Sequence, residues 1–102
     1  MLQSDSILEL MTEQQLIKKN LAVIRAYLKS KFPSCVITEE SHPSRHHIFT
    51  VRDENLQQNY RLKVGWPRLS DRRNTQEKTR TELARSDVAT GMIQARDEWL
   101  YW

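Results

Sequence analysis

Tyr60-Arg61-Leu62-Lys63-Val64 alternates apolar and cationic side chains at every step. A period of two marks a strand with one buried and one solvated face. Tyr60, Leu62 and Val64 then point one way, and Arg61 and Lys63 the other. Upstream, His46-His47-Ile48-Phe49-Thr50-Val51-Arg52 reads as a second strand and Cys35-Val36-Ile37-Thr38-Glu39 as a short, β-branched third. The links between them, Ser41-His42-Pro43-Ser44-Arg45 and a turn opened by Asp53-Glu54-Asn55, have turn composition. Such short links join consecutive strands as an antiparallel meander. On the middle strand Phe49 and Val51 share a face, with His46, Thr50 and Arg52 opposite; Ile48 interrupts the pattern. The open face is expected to carry Arg52, Arg61, Lys63 and His46.

Helices flank the meander. Thr12-Glu13-Gln14-Gln15 fits a capping box, and apolar residues recur at Leu16/Ile17, Leu21, Ile24 and Leu28. Lys29 and Lys31 suit a helix C-terminus, and Pro33 stops the helix, which is expected over about 12–31. Residues 1–11 are either a separate N-terminal extension or part of this helix. After Gly65-Trp66-Pro67, residues 67–74 read as a basic loop. A second helix is expected from about Thr75 to about Trp99, with Leu83/Ala84, Val88, Met92 and Trp99 on one face. Ser86-Asp87 offers a fresh cap and Gly91 a bend. The fold expected is thus α+β, in the order α-β-β-β-α. A three-stranded antiparallel meander carries the terminal helices on one face, in one domain over 12–102.

Composition limits the function. The chain has 102 residues, 38% apolar and 28% charged, with two glycines and one cysteine. Its mean hydropathy is -0.71. Two isolated glycines build no phosphate loop, and one cysteine builds neither an internal disulfide nor a multi-cysteine zinc site. The longest apolar run, Leu21-Ala22-Val23-Ile24, falls far short of the ~20 residues that span a bilayer. Met1-Leu2-Gln3-Ser4-Asp5 lacks the basic flank of a signal peptide, so a cytoplasmic protein without a membrane segment is expected.

The net charge of +3 hides a segregation. Residues 1–60 are balanced, and residues 86–102 carry net -2. Residues 61–85 hold eight basic side chains against three acidic ones, net +5. That field attracts a polyanion or an acidic protein surface. Arg61, Lys63, Arg68, Arg72, Arg73 and Arg80 are the candidate phosphate contacts, with Trp66 the candidate base-stacking side chain. The ending Trp99-Leu100-Tyr101-Trp102 is too aromatic to leave exposed. It either folds back on the domain or docks on a partner, including a second copy of the chain.

Catalysis has thinner support. His42, His46 and His47 lie within six residues, yet Pro43 excludes a helix there. Neighbouring His46 and His47 on a strand face opposite ways, so no metal site and no cofactor is expected. His46 or His47, beside Arg45, Arg61 or Lys63, has the residue types of a ribonuclease base and its phosphate-stabilising cation. Cys35 beside Val36 and Ile37 reads as a small core residue.

The order α-β-β-β-α over residues 12–99 resembles that of the double-stranded RNA-binding domain, and of small toxin ribonucleases that share the architecture. Arg72-Arg73 with Lys78 is the nearest match to the lysine-rich phosphate grip of the former. Ser44-Arg45-His46-His47 is the nearest match to the glycine-serine-histidine signature of the latter, without its glycine. The resemblance implies RNA binding or histidine-dependent RNA cleavage. Taken with the charge, the expectation is a small non-enzymatic nucleic-acid-binding or regulatory module with a basic surface around residues 61–85. The alternatives are a protein-interaction module docking through Trp99, Tyr101 and Trp102, and a small ribonuclease using His46 or His47.

Overall fold

A computed structural model describes residues 12–102 of the protein. The expected extension over 1–11 lies outside the described residues. Helix α1 (Glu13–Lys31) begins where the capping box places it. Thr12 Oγ1 accepts from the Gln15 amide at 3.1 Å, and Gln15 Oε1 accepts from the Thr12 amide at 2.9 Å. Each satisfies a donor that the first turn of a helix leaves unpaired. Ile17, Leu21, Ile24 and Leu28 then line the buried face.

Strands β1 (Val36–His42), β2 (His46–Asp53) and β3 (Gln58–Gly65) form the expected antiparallel meander. The β1–β2 turn passes through Ser44 at φ 69, and the β2–β3 turn through Gln57 at φ 54. Asp53 Oδ1 shapes the second turn by accepting from the amides of Asn55 and Leu56 at 3.0 and 3.1 Å.

Beyond β3 the chain departs from the expected order, which is α-β-β-β-α-α-α-β. The basic loop expected over 67–74 is entered by a short helix, α2 (Trp66–Ser70), with Pro67 in its first turn. The long second helix is two helices, α3 (Gln76–Arg85) and α4 (Val88–Ala95). Asp87 at φ 50 separates them, and Arg96 at φ 51 ends the second. A residue at positive φ halts the helical hydrogen-bond ladder as glycine would, and neither position carries a glycine.

Residues Trp99–Tyr101 are therefore not helical. They form a fourth strand, β4, parallel to β3, and the sheet order is β1-β2-β3-β4. Parallel neighbours need a long crossover, here supplied by α2, α3 and α4. The mixed four-stranded sheet also ends the topological resemblance to the α-β-β-β-α families.

The core lies on one face of the sheet. Phe49, Val51, Leu62 and Val64 are fully buried there, against Ile24 and Leu28 of α1, Leu69 of α2, Leu83 of α3 and Met92 of α4. Each such side chain contributes about 1.5–3 kcal/mol of burial. A β-carbon at Gly91 of α4 would lie 3.0 Å from Leu100 Cδ2, so its lack of a side chain lets β4 approach.

Polar contacts tie the layers together. Asn20, 1% exposed on α1, donates from Nδ2 to the carbonyls of Leu69 and Asn74 at 3.1 and 2.9 Å. Its Oδ1 accepts from Thr79 Oγ1 of α3 at 3.1 Å. The Tyr27 hydroxyl accepts from the Ala89 amide at 3.0 Å, satisfying the N-terminus of α4 that Asp87 leaves without a side-chain cap.

Candidate nucleic-acid interface

The strict alternation of β3 sends Arg61 and Lys63 to the face opposite the core. Register places their neighbours. Across β2, Thr50 stands beside Arg61 and Ile48 beside Lys63. Across β4, Trp99 stands beside Arg61 and Tyr101 beside Lys63, while Leu100 pairs with Leu62 and packs against the core. Two cross-strand rows result, each ending in a cation followed by an aromatic ring. None of the six side chains in these rows on β2, β3 and β4 belongs to the core cluster. Ile48, the residue that interrupts the alternation of β2, sits on this face and is shielded to 9% exposure.

Cations and rings are in contact. Lys63 Nζ lies 4.5 Å from the Trp99 ring centre and 5.1 Å from that of Tyr101, and the Arg61 guanidinium carbon lies 5.3 Å from Trp99. At a solvated site each such contact is worth about 0.5–1 kcal/mol. Tyr101 remains 67% exposed.

The β1 side of the face is closed by histidines. His42 pairs through Nε2 with the Glu40 carboxylate, and the His42 and His46 rings lie 4.8 Å apart. Partial desolvation, and then the positive charge of Lys63, His42 and Arg45, hold the His46 imidazole below its ordinary pKa of 6.5. Among the described residues no cluster of three histidine, cysteine or acidic side chains converges on a metal position.

His47 faces the other way, as its position next to His46 on a strand requires. It is buried beneath α1 with its ring 4.9 Å from that of Phe49. Its Nε2 donates to Glu39 Oε1 at 2.9 Å, and Nδ1 has no hydrogen-bond partner among the described residues. Glu39 is also gripped by both arms of the Arg25 guanidinium. Arg25 first, and His47 after it, hold the Glu39 carboxyl below the usual range, against the opposing effect of burial. His46 and His47 thus stand on opposite sides of the sheet and do not share a substrate position.

The remaining basic residues are dispersed. Arg68 donates from Nη1 to Glu82 Oε1 at 3.1 Å, with its guanidinium 4.0 Å from the Trp102 ring centre. Arg73 forms a fork on Asp71, whose carboxyl it pulls down to about 2. Arg72 shares that loop, and Arg80 is exposed on α3. The carbonyl of Asn74 is bonded to Asn20, and its Nδ2 donates to the Arg68 carbonyl at 2.8 Å, so this loop belongs to the helical layer. Trp66 packs against the margin of the core. Trp102 folds back: its amide donates to the Lys63 carbonyl at 2.8 Å, and its carbonyl accepts from the Gly65 amide at 3.1 Å.

The sheet therefore unites Arg61, Lys63, Trp99 and Tyr101, and sets Arg72, Arg73 and Arg80 apart from them. Sequence reasoning named all of these residues without grouping the first four. The signal was the aromatic-aliphatic-aromatic alternation of Trp99-Leu100-Tyr101, which has the period of a strand. No protein family, curated protein or solved structure that was compared matches this chain.

Proposed function

We propose that this chain is a small non-enzymatic nucleic-acid-binding module. One observation carries this reading: Arg61 and Lys63 stand beside Trp99 and Tyr101 on the sheet face opposite the core. Cations release the counterions condensed on phosphates, and aromatic rings offer stacking worth about 1–3 kcal/mol per base. A base that takes a ring face replaces cation contacts worth about 0.5–1 kcal/mol each with stacking, and the displaced cation gains a phosphate. Arg72, Arg73 and Arg80 add long-range attraction from the helical layer. Docking of an acidic protein on the same face is the second reading, favoured by the exposure of Tyr101 on an edge strand.

The test is fluorescence anisotropy of labelled nucleic acids across a salt series. Binding is expected to weaken linearly in log affinity against log salt, and Arg61→Glu with Lys63→Glu to abolish it at near-physiological salt. A wild-type protein that binds no nucleic acid even at low salt overturns this reading and leaves the acidic-protein one.

A further inference from the structure

Resting on that reading, we infer that the sheet face takes single-stranded nucleic acid, with unstacked bases laid on Trp99 and Tyr101. The spacing of the rings separates single strand from duplex. Trp99 and Tyr101 are two residues apart on β4 and share a face. Strand geometry puts their β-carbons about 6.6–6.8 Å apart. Bases within a duplex strand rise by about 3.4 Å, half that distance. Two rings at strand spacing therefore match neighbouring bases only when those bases are splayed apart, as they are in single-stranded segments.

The shape of the face agrees. Duplex sequence is read by an element that enters a groove, a helix or a projecting ribbon. Here the candidate contacts lie flat on β3 and β4, while α1, α2, α3 and α4 all pack into the opposite side. The charge is placed for a backbone running alongside the rings. Arg61 and Lys63 form the row next to β4, directly beside the two aromatic residues. In the free protein Lys63 lies against both rings. When a base takes a ring face, Lys63 is displaced by the length of its own side chain and pairs with the adjoining phosphate. The charge on this face is complementary to that occupant, because its acidic member, Glu40, is already paired with His42.

The test compares a single-stranded homopyrimidine oligonucleotide, in deoxy and ribo forms, with a duplex of equal length. Binding is read by anisotropy on wild type, Tyr101→Ala, Tyr101→Phe and the pair Arg72→Glu with Arg73→Glu. Tyr101 is exposed, so its replacement should leave the core intact, with circular dichroism as the check. The single strand is expected to bind at least about fivefold more tightly than the duplex. Tyr101→Ala should weaken single-strand binding at least about fivefold and leave duplex binding unchanged, while Tyr101→Phe retains it. The Arg72/Arg73 pair should weaken both probes alike. Equal affinity for the two probes, or single-strand binding indifferent to Tyr101→Ala, overturns this inference and leaves the nucleic-acid reading standing. Absence of binding to every probe at low salt overturns both. The deoxy and ribo arms distinguish DNA from RNA as the occupant.

Discussion

The Arg68 guanidinium carbon sits 4.0 Å from the centre of the Trp102 ring. A side chain that reads as a phosphate contact in sequence thereby holds the C-terminus against α2, and its bond to Glu82 reaches α3 as well. Arg68→Ala is expected to destabilise the fold by about 1 kcal/mol, chiefly through lost stacking and packing, because the ion pair is solvated. Arg68→Lys keeps the charge and loses the planar fork, so it should restore only part of that. Urea denaturation followed by tryptophan fluorescence measures both.

Asn20 is the buried polar junction of the helical layer. Removing its amide leaves the Leu69 and Asn74 carbonyls and the Thr79 hydroxyl without their partner. Asn20→Ala should cost about 2–4 kcal/mol, more than truncating an exposed polar residue. Thr79→Val removes one of these bonds and should cost less. Hydrogen exchange at the amides of residues 74–79 should rise more for Asn20→Ala than for Thr79→Val, because the loop before α3 loses its anchor.

Glu39 makes acid stability depend on the α1–β1–β2 contact. Its carboxyl is held below 4.5 by Arg25 and then His47, so the folded protein prefers it ionised. A carboxyl depressed in the folded state stabilises fully above its unfolded pKa, and that contribution is lost as pH falls through the folded pKa. Wild type should therefore be more stable than Glu39→Gln at neutral pH, with the gap closing as pH falls below about 5 and on through the folded pKa. Urea midpoints of the two proteins across that range provide the check; a gap that stays constant counts against the ion pair as its source.

Gly91 and Leu100 share one space between α4 and β4. A β-carbon at residue 91 meets Leu100 at 3.0 Å, so the larger Gly91→Val should cost about 1–3 kcal/mol through overpacking. The loss should appear first as faster exchange of the Trp102 and Gly65 amides, whose bonds close the β3–β4 edge. Combining Gly91→Val with Leu100→Ala relieves the crowding, and a double-mutant cycle should show positive coupling.

Much of the first half of the chain is legible without coordinates. The capping box at Thr12 and the recurrence from Leu16 to Leu28 define α1, and the alternation in residues 60–64 defines β3, because both signals arise between near neighbours. The start of α3 is equally local: Thr75 Oγ1 accepts from the Lys78 amide at 3.1 Å. The candidate site was only partly readable. Arg61 and Lys63 declared their face by parity, whereas the alternation of Trp99-Leu100-Tyr101 spans only three residues and is outweighed by the helical pattern before it. Ser86-Asp87 marks the restart of the helix at α4, but the apolar pattern through Leu83, Val88 and Met92 runs on toward Trp99 and masked the positive-φ Arg96 that ends it.

Elements whose hydrogen bonds close within a turn or across a tight hairpin are specified locally: α1, the three-stranded meander and the onset of α3. That Trp99-Leu100-Tyr101 becomes a strand, and so which cations meet aromatic rings, depends on packing between distant elements. The β3 edge needs partners for its backbone groups, and Leu100 needs the space over Gly91. The first demand comes from a strand three helices away in the chain, the second from the preceding helix α4. Burial and backbone pairing across that distance settle the outcome, and local propensity does not encode them.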